Sequence, residues 1–145
     1  NLRYTTFLQD ELVAVVHTGS KLSLPDEITP EDLSRIPLVL RERGSGTLDV
    51  FERALSEHNM KLSSLNVLLY LGSTESIKLF LEHTDCIGIV SIRSISHELL
   101  SGTFRVIEIK GMPMLREFCF AQPQGQESGL SQVLMQFAMH HNKKL

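Results

Sequence analysis

The chain has 145 residues, 42% of them hydrophobic and 21% charged, which fits one ordinary globular unit long enough to bury a real core. Its 14 basic and 17 acidic residues give a formal net charge of -3, which excludes nucleic-acid binding through a basic surface of this segment, though not through another part of a longer protein. No apolar run approaches the roughly 20 residues that span a bilayer. No signal peptide is visible, and Cys86 and Cys119 lie in apolar strand-like runs, as buried reduced thiols rather than a disulfide, which fits a cytoplasmic protein.

The chain opens at Asn1 without an initiator Met, and its first strand comes almost at once, so it reads as a piece of a longer protein. Residues 2–7 pair as a short edge strand. Residues 11–17, ELVAVVH, are nearly continuous apolar and valine-rich, as a buried strand is. Residues 18–28 form a loop with Gly19, Ser20, Ser23 and Pro25, either a crossing between two lobes or a surface loop. Thr29 caps a helix with Pro30 at its first position and Glu31 and Asp32 in its positive first turn, and Pro37 ends it after two turns. Leu38, Val39 and Leu40 make a short strand that runs into the polar loop 41–47, RERGSGT. A helix follows, with Leu48, Phe51 and Leu55 on its apolar face.

Residues 66–91 are the organising stretch. Val67, Leu68, Leu69, Tyr70 and Leu71 form an apolar strand, broken by Gly72, Ser73 and Thr74. Ile77, Phe80, Leu81 and Thr84 share one helix face, and residues 86–90 form a second buried strand. Strand, helix and strand in this order make a crossover unit of a parallel sheet. A helix with Ile92, Ile95 and Leu99 on one face then stops at Gly102, and residues 104–109, FRVIEI, alternate as a half-exposed strand does. Another strand lies within residues 115–121, and residues 123–129 are a polar linker. The last helix carries Leu130, Val133, Leu134, Phe137 and Ala138 on one face, with Lys143 and Lys144 at its negative end.

Two turns carry chemistry. In the loop Arg41, Glu42, Arg43, Gly44, Ser45, Gly46, Thr47, glycines let backbone N–H groups approach a ligand and Ser45 or Thr47 donates to an oxyanion; a flexible β–α turn with a capping hydroxyl is the other reading. The spacing and lysine of a phosphate-binding P-loop are missing. Gly72, Ser73 and Thr74 either cap their helix or offer a second set of donors at a helix N-terminus. Two parallel β–α turns at the carboxyl edge of one sheet open on the side where α/β sheets bind ligands, and Ser91, just after its strand, faces the same edge. The histidines His17, His58, His83, His97, His140 and His141 show no metal-binding spacing, no G-x-S-x-G elbow occurs, and no cofactor is indicated. The carboxylate pairs Asp10-Glu11 and Glu31-Asp32 read as solvated loop and helix-start charges.

Several strings, in order, resemble the effector-binding domain of LysR-type transcriptional regulators. They are DELVAVV (10–16), ITPEDL (28–33), PLVLRERGSGT (37–47), LGSTESIK (71–78) and IGIVS (87–91). The resemblance runs from about Gln9 to Phe120 and continues weakly into the last helix. It implies an α/β, periplasmic-binding-protein-like (type 2) fold, with two lobes joined by crossing strands at 12–16 and 118–121. Residues 1–18 would be the end of lobe one and the first crossing strand, 19–116 the complete effector-binding lobe two, and 117–145 the second crossing strand and the C-terminal helix of lobe one. It implies a small-molecule effector, an organic or inorganic anion, near Arg41, Ser45, Gly46, Thr47, Ser73, Thr74, Val90 and Ser91. DNA would be bound only through a helix-turn-helix domain absent from this stretch, in a homodimer or homotetramer. The helix 92–100 resembles a dimer helix of the family, or simply packs on the core. The function implied is regulatory and not enzymatic; a solute-binding protein of a transporter with the same fold is the alternative.

Overall fold

A computed structural model describes the backbone of residues 2–123 and the side chains of residues 9–116. The final helix expected after residue 130, the linker before it, and the side chain of Cys119 lie outside the described residues.

One mixed sheet organises the molecule. Its strands are β1 (Leu2–His17), β2 (Glu27–Ile28), β3 (Leu38–Arg41), β4 (Val67–Leu71), β5 (Ile87–Ser91), β6 (Phe104–Ile109) and β7 (Met114–Pro123). The order is β2-β6-β1-β5-β3-β4, with β7 paired to β1. β3 runs parallel to β4 and to β5, as the crossover unit at residues 66–91 requires, and β1 lies antiparallel between β5 and β6. Among the described residues the α-helices are α1 (Thr47–Glu57), α2 (Thr74–His83) and α3 (Ser96–Ser101).

The sheet is covered on both sides, which is why its central strands read as unbroken apolar runs. Along β1, Leu12, Ala14 and Val16 point into one core with Leu38 and Leu40 of β3 and with Leu48, Phe51 and Leu55 of α1. Val13 and Val15 point the other way, to Val39, Val90, Ile77 and Leu81 of α2, and Ile95. Gly88 of β5 faces α2 at close range: a Cβ there would meet Ile77 Cγ2 at 3.0 Å and Leu81 Cδ1 at 3.1 Å.

Several expectations change. β1 is one continuous strand in place of a separate edge segment and a buried strand, because its two halves have different partners: residues 2–12 pair with β7, and residues 12–17 with β5 and β6. Residues 12–16 therefore lie in the middle of the sheet, buried on both faces, and the β1/β7 ladder runs from Leu2 to Leu12, where they begin. The segment after Thr29 is a 3-10 helix, Pro30–Arg35, closed by a capping box in which Thr29 and Asp32 exchange hydrogen bonds. β4 is an edge strand, so Leu68, Leu69 and Tyr70 stay 41–46% exposed despite their apolar run. Thr84 ends α2 in extended conformation and is not on its helical face. The helix expected at 92–100 is a 3-10 turn, Ile92–Ile95, followed by α3. Its apolar face packs on the core: Ile95 is fully buried, with Ile92 and Leu99 against the α2 side.

Candidate functional site

Because β3, β4 and β5 are parallel, Arg41, Leu71 and Ser91 end them at one edge of the sheet. β1 runs the other way and places Leu12 opposite Ser91, so Asp10 lies at the same edge. The β1/β7 ladder starts there.

Arg41 joins the two turns. Its Nη1 donates to Thr74 Oγ1 (3.4 Å) and its Nη2 to the carbonyl of Gly72 (3.3 Å). Its Nε and the hydroxyl of Ser45 are buried without a hydrogen-bond partner among the described residues. Buried donors in that condition are costly and mark a place where a ligand or ordered water is expected. Gly46 is the N-cap of α1 with φ 81°, and no side chain caps the helix. The first N–H groups of an 11-residue helix are thus left toward the same edge. Thr47 opens that helix and is buried. Ser73 is the N-cap of α2: its hydroxyl accepts from the Ser76 N–H at 3.1 Å and pairs with the Ser76 hydroxyl at 2.8 Å. In the loop before α1, Arg43 pairs with Glu52 of that helix at 2.7 Å, and that bond holds the Glu52 carboxyl below its ordinary range.

Ser91 and Val90 are placed differently. Val90 is 1% exposed and its side chain belongs to the core under α2, so only its backbone reaches the edge. The Ser91 hydroxyl donates to Asp10 Oδ1 at 2.7 Å and accepts from the Arg93 N–H. Asp10, read from sequence as a solvated charge, is 3% exposed. Its Oδ2 also accepts from Arg116 Nη2 at 3.1 Å, and Arg93 Nε lies 3.5 Å from Oδ1. A signal for this was present: Asp10 shares strand parity with Leu12, Ala14 and Val16, and parity decides which face of a strand is buried. Sequence reading missed Arg93 and Arg116, since only the fold brings them to Asp10.

Two hollows lie elsewhere. One of about 580 Å³ is lined by Glu11, Asp26, Glu27 and residues of β6, and one of about 750 Å³ by Arg43, Arg53, Lys61 and Tyr70. Neither is lined by Ser45, Thr47, Ser73 or Thr74. Among the described residues, no three His, Cys, Asp or Glu gather as metal ligands, and no helix is long and apolar enough to cross a membrane.

The chain has relatives among known proteins. The family model described as LysR substrate binding domain matches residues 1–143. The chain belongs to the LysR substrate-binding domain family. Among curated proteins, this LysR domain is 29% identical over 144 residues to the HTH-type transcriptional activator CmpR of Synechocystis sp., covering 99% of the chain and 46% of that protein. It is 29% identical to the RuBisCO operon transcriptional regulator of Acidithiobacillus ferrooxidans, over 87% of the chain and 40% of that protein. The chain thus spans less than half the length of these relatives. Among solved structures, the Synechocystis CcmR regulatory domain in complex with 2-PG superposes with a TM-score of 0.73 at 23% identity, covering 97% of this chain and 68% of that one. The fold is the α/β, periplasmic-binding-protein-like type 2 fold of LysR effector-binding domains. Relatives that are transcriptional regulators do not favour the transporter alternative.

Proposed function

We propose that this LysR domain senses a small anion at the carboxyl edge of β3, β4 and β5, for a transcriptional regulator that binds DNA through another domain. The observation that carries the reading is Arg41: it ties the turn before α1 to the turn before α2, while its Nε and the Ser45 hydroxyl are buried without a hydrogen-bond partner among the described residues. Two helix N-termini, a guanidinium and several hydroxyls attract negative charge and give it directed donors. The role is binding and not catalysis. Ser45, Gly46, Thr47, Thr74 and Arg41 form the wall; Ser73 supports it as a cap, and Ser91 and Val90 stand behind it. Residues 19–116 form the lobe that carries this wall, and the β1/β7 ladder leads to the other lobe. An anion bridging both would shift the lobes' relative populations and the spacing of DNA-binding domains in a dimer or tetramer, in the cytoplasm.

The test is calorimetric titration of the full-length regulator with small organic and inorganic anions. Ser45→Ala and Thr74→Ala should each weaken the anion that binds by about 1.5–3 kcal/mol, the worth of a hydrogen bond to a charged group. Wild-type affinity in both variants refutes the site.

A further inference from the structure

The chain carries a formal net charge of -3, yet the charged residues that line the hollow of about 750 Å³ are Arg43, Arg53, Lys61 and a single carboxylate, Glu52. Glu52 is held by Arg43 at 2.7 Å, and Arg43 also faces Asp49 at 4.0 Å. Arg53 and Lys61 form no ion pair among the described residues. The three cations converge from different elements: Arg43 from the loop before α1, Arg53 from α1, and Lys61 from the turn that follows it. The Lys61 carbonyl accepts from the Ser64 backbone N–H at 3.0 Å and from the Ser64 hydroxyl at 2.7 Å. Those bonds close the 3-10 helix Leu62–Ser64 on Lys61 and fix where the lysine stands.

The rest of the hollow is apolar. Tyr70 pairs with Leu40 across the β3/β4 ladder, and Leu40 points into the core under α1, so the Tyr70 ring lies on the α1 side of the sheet. Since β4 is an edge strand, that ring stays 46% exposed. Met60 and Leu62 pack against the same core and line the hollow with it. Small-molecule sites of roughly 300–1,000 Å³ combine such an apolar lining with a few convergent polar groups. A phosphate monoester carries about -1.5 to -2 charges at pH 7, which matches two unpaired cations, and an arginine fork takes its oxygens pairwise. We propose that this hollow is a second binding site, for a phosphate monoester that bears a planar ring, with the phosphate on Arg53 and Lys61 and the ring against Tyr70. The site shares the loop 41–47 with the anion wall but none of the wall's own residues, and it stands independently of that reading.

The full-length protein is titrated calorimetrically with phenyl phosphate, and with inorganic phosphate and benzoate as partial probes. Phenyl phosphate should bind with a Kd of about 1 mM or tighter. Inorganic phosphate, which lacks the ring, should bind about tenfold weaker, and benzoate, which has the ring and one charge, several-fold weaker. Arg53→Gln and Lys61→Gln should each weaken phenyl phosphate about two- to fivefold, and together about tenfold. Tyr70→Ser should weaken it about three- to tenfold and leave inorganic phosphate unchanged. All three side chains are exposed, so the variants fold, and their urea midpoints are recorded to show it. Ser45→Ala is titrated alongside to separate the two sites. No saturable binding of phenyl phosphate up to about 10 mM overturns the proposal, as does wild-type affinity in the Arg53→Gln, Lys61→Gln double variant. Wild-type affinity in Tyr70→Ser refutes the ring contact. Binding that Ser45→Ala abolishes and the double variant keeps places the probe at the anion wall, so that reading stands and this one falls. Binding that the double variant loses and Ser45→Ala keeps supports the second site, whatever becomes of the first.

Discussion

Replacing Gly88 by alanine should destabilise the protein through one added methyl group. The new Cβ would meet Ile77 Cγ2 at 3.0 Å, Leu81 Cδ1 at 3.1 Å and Leu81 Cδ2 at 3.4 Å. Ile77 is 0% exposed and Leu81 1%, so neither side chain has free space to turn into. α2 must move outward from the sheet. Overpacking of this kind costs about 1–3 kcal/mol, and the reduced freedom of the unfolded chain returns about 0.4–1 kcal/mol, leaving a net loss on the order of 1–2 kcal/mol. Urea unfolding followed by circular dichroism reads this as a lower midpoint with an unchanged slope. A second variant locates the cause. Ile77→Ala alone should cost about 2–5 kcal/mol by opening a cavity. Combined with Gly88→Ala it should cost on the order of 1 kcal/mol less than the sum, because the new methyl fills the emptied volume. Additive energies, or a Gly88→Ala protein as stable as wild type, would refute close helix packing as the reason for this glycine.

Lys78 is 14% exposed and pairs with Glu98, 18% exposed, at 2.8 Å, fastening α2 to α3. Burial alone would lower the Lys78 pKa, but its bonds to Glu98 and Glu75 outweigh that and raise it. Lys78→Ala should cost about 1–3 kcal/mol in urea unfolding by stranding the Glu98 carboxylate; adding Glu98→Gln should recover part of it, and no recovery would contradict the pairing. Asp32 titrates below its ordinary 3.8, chiefly because its carboxylate accepts the Thr29 backbone N–H and is bonded to the Thr29 side chain. Its folded pKa is depressed, so the box stabilises above the unfolded value and that contribution is lost as pH falls through the folded one. NMR titration should place the Asp32 midpoint under 3.8, with Thr29→Ala moving it back up. The Cys86 thiol is pushed up to about 11 by burial and, secondarily, by Asp85. Native protein at pH 8 should leave it unalkylated by iodoacetamide, as peptide mass spectrometry would show, and labelling at the rate of a free thiol would refute its burial.

Much of the fold is legible in residue order, because local signals there agree with the packing. The runs at 38–40 and 86–90 are apolar on both faces, and they lie in the sheet centre, where α1 covers one face and α2 the other. Ser73, Thr29 and Gly102 act at helix ends as their chemistry predicts. The failures are physical. The run at 67–71 looks as buried as its neighbours, but a strand's position in the sheet is set by pairing and not by its own composition, and β4 falls at the edge. The helix expected at 92–100 breaks because Ile95 must reach the core under α2 while Ser91 stays at the edge beside Asp10.

Sequence alone determined which segments could be strands and helices, and that two Gly/Ser/Thr turns each precede a helix. It did so because hydrophobic period and capping are local and repeat along the chain. Tertiary structure alone decided that those turns meet through Arg41, that β4 lies at an edge of the sheet, and that guanidinium groups stand against Asp10. The last depends on three segments far apart in sequence, at residues 10, 91–93 and 116. A carboxylate can leave water only where guanidinium groups replace its hydration, and nothing near Asp10 in the chain supplies them.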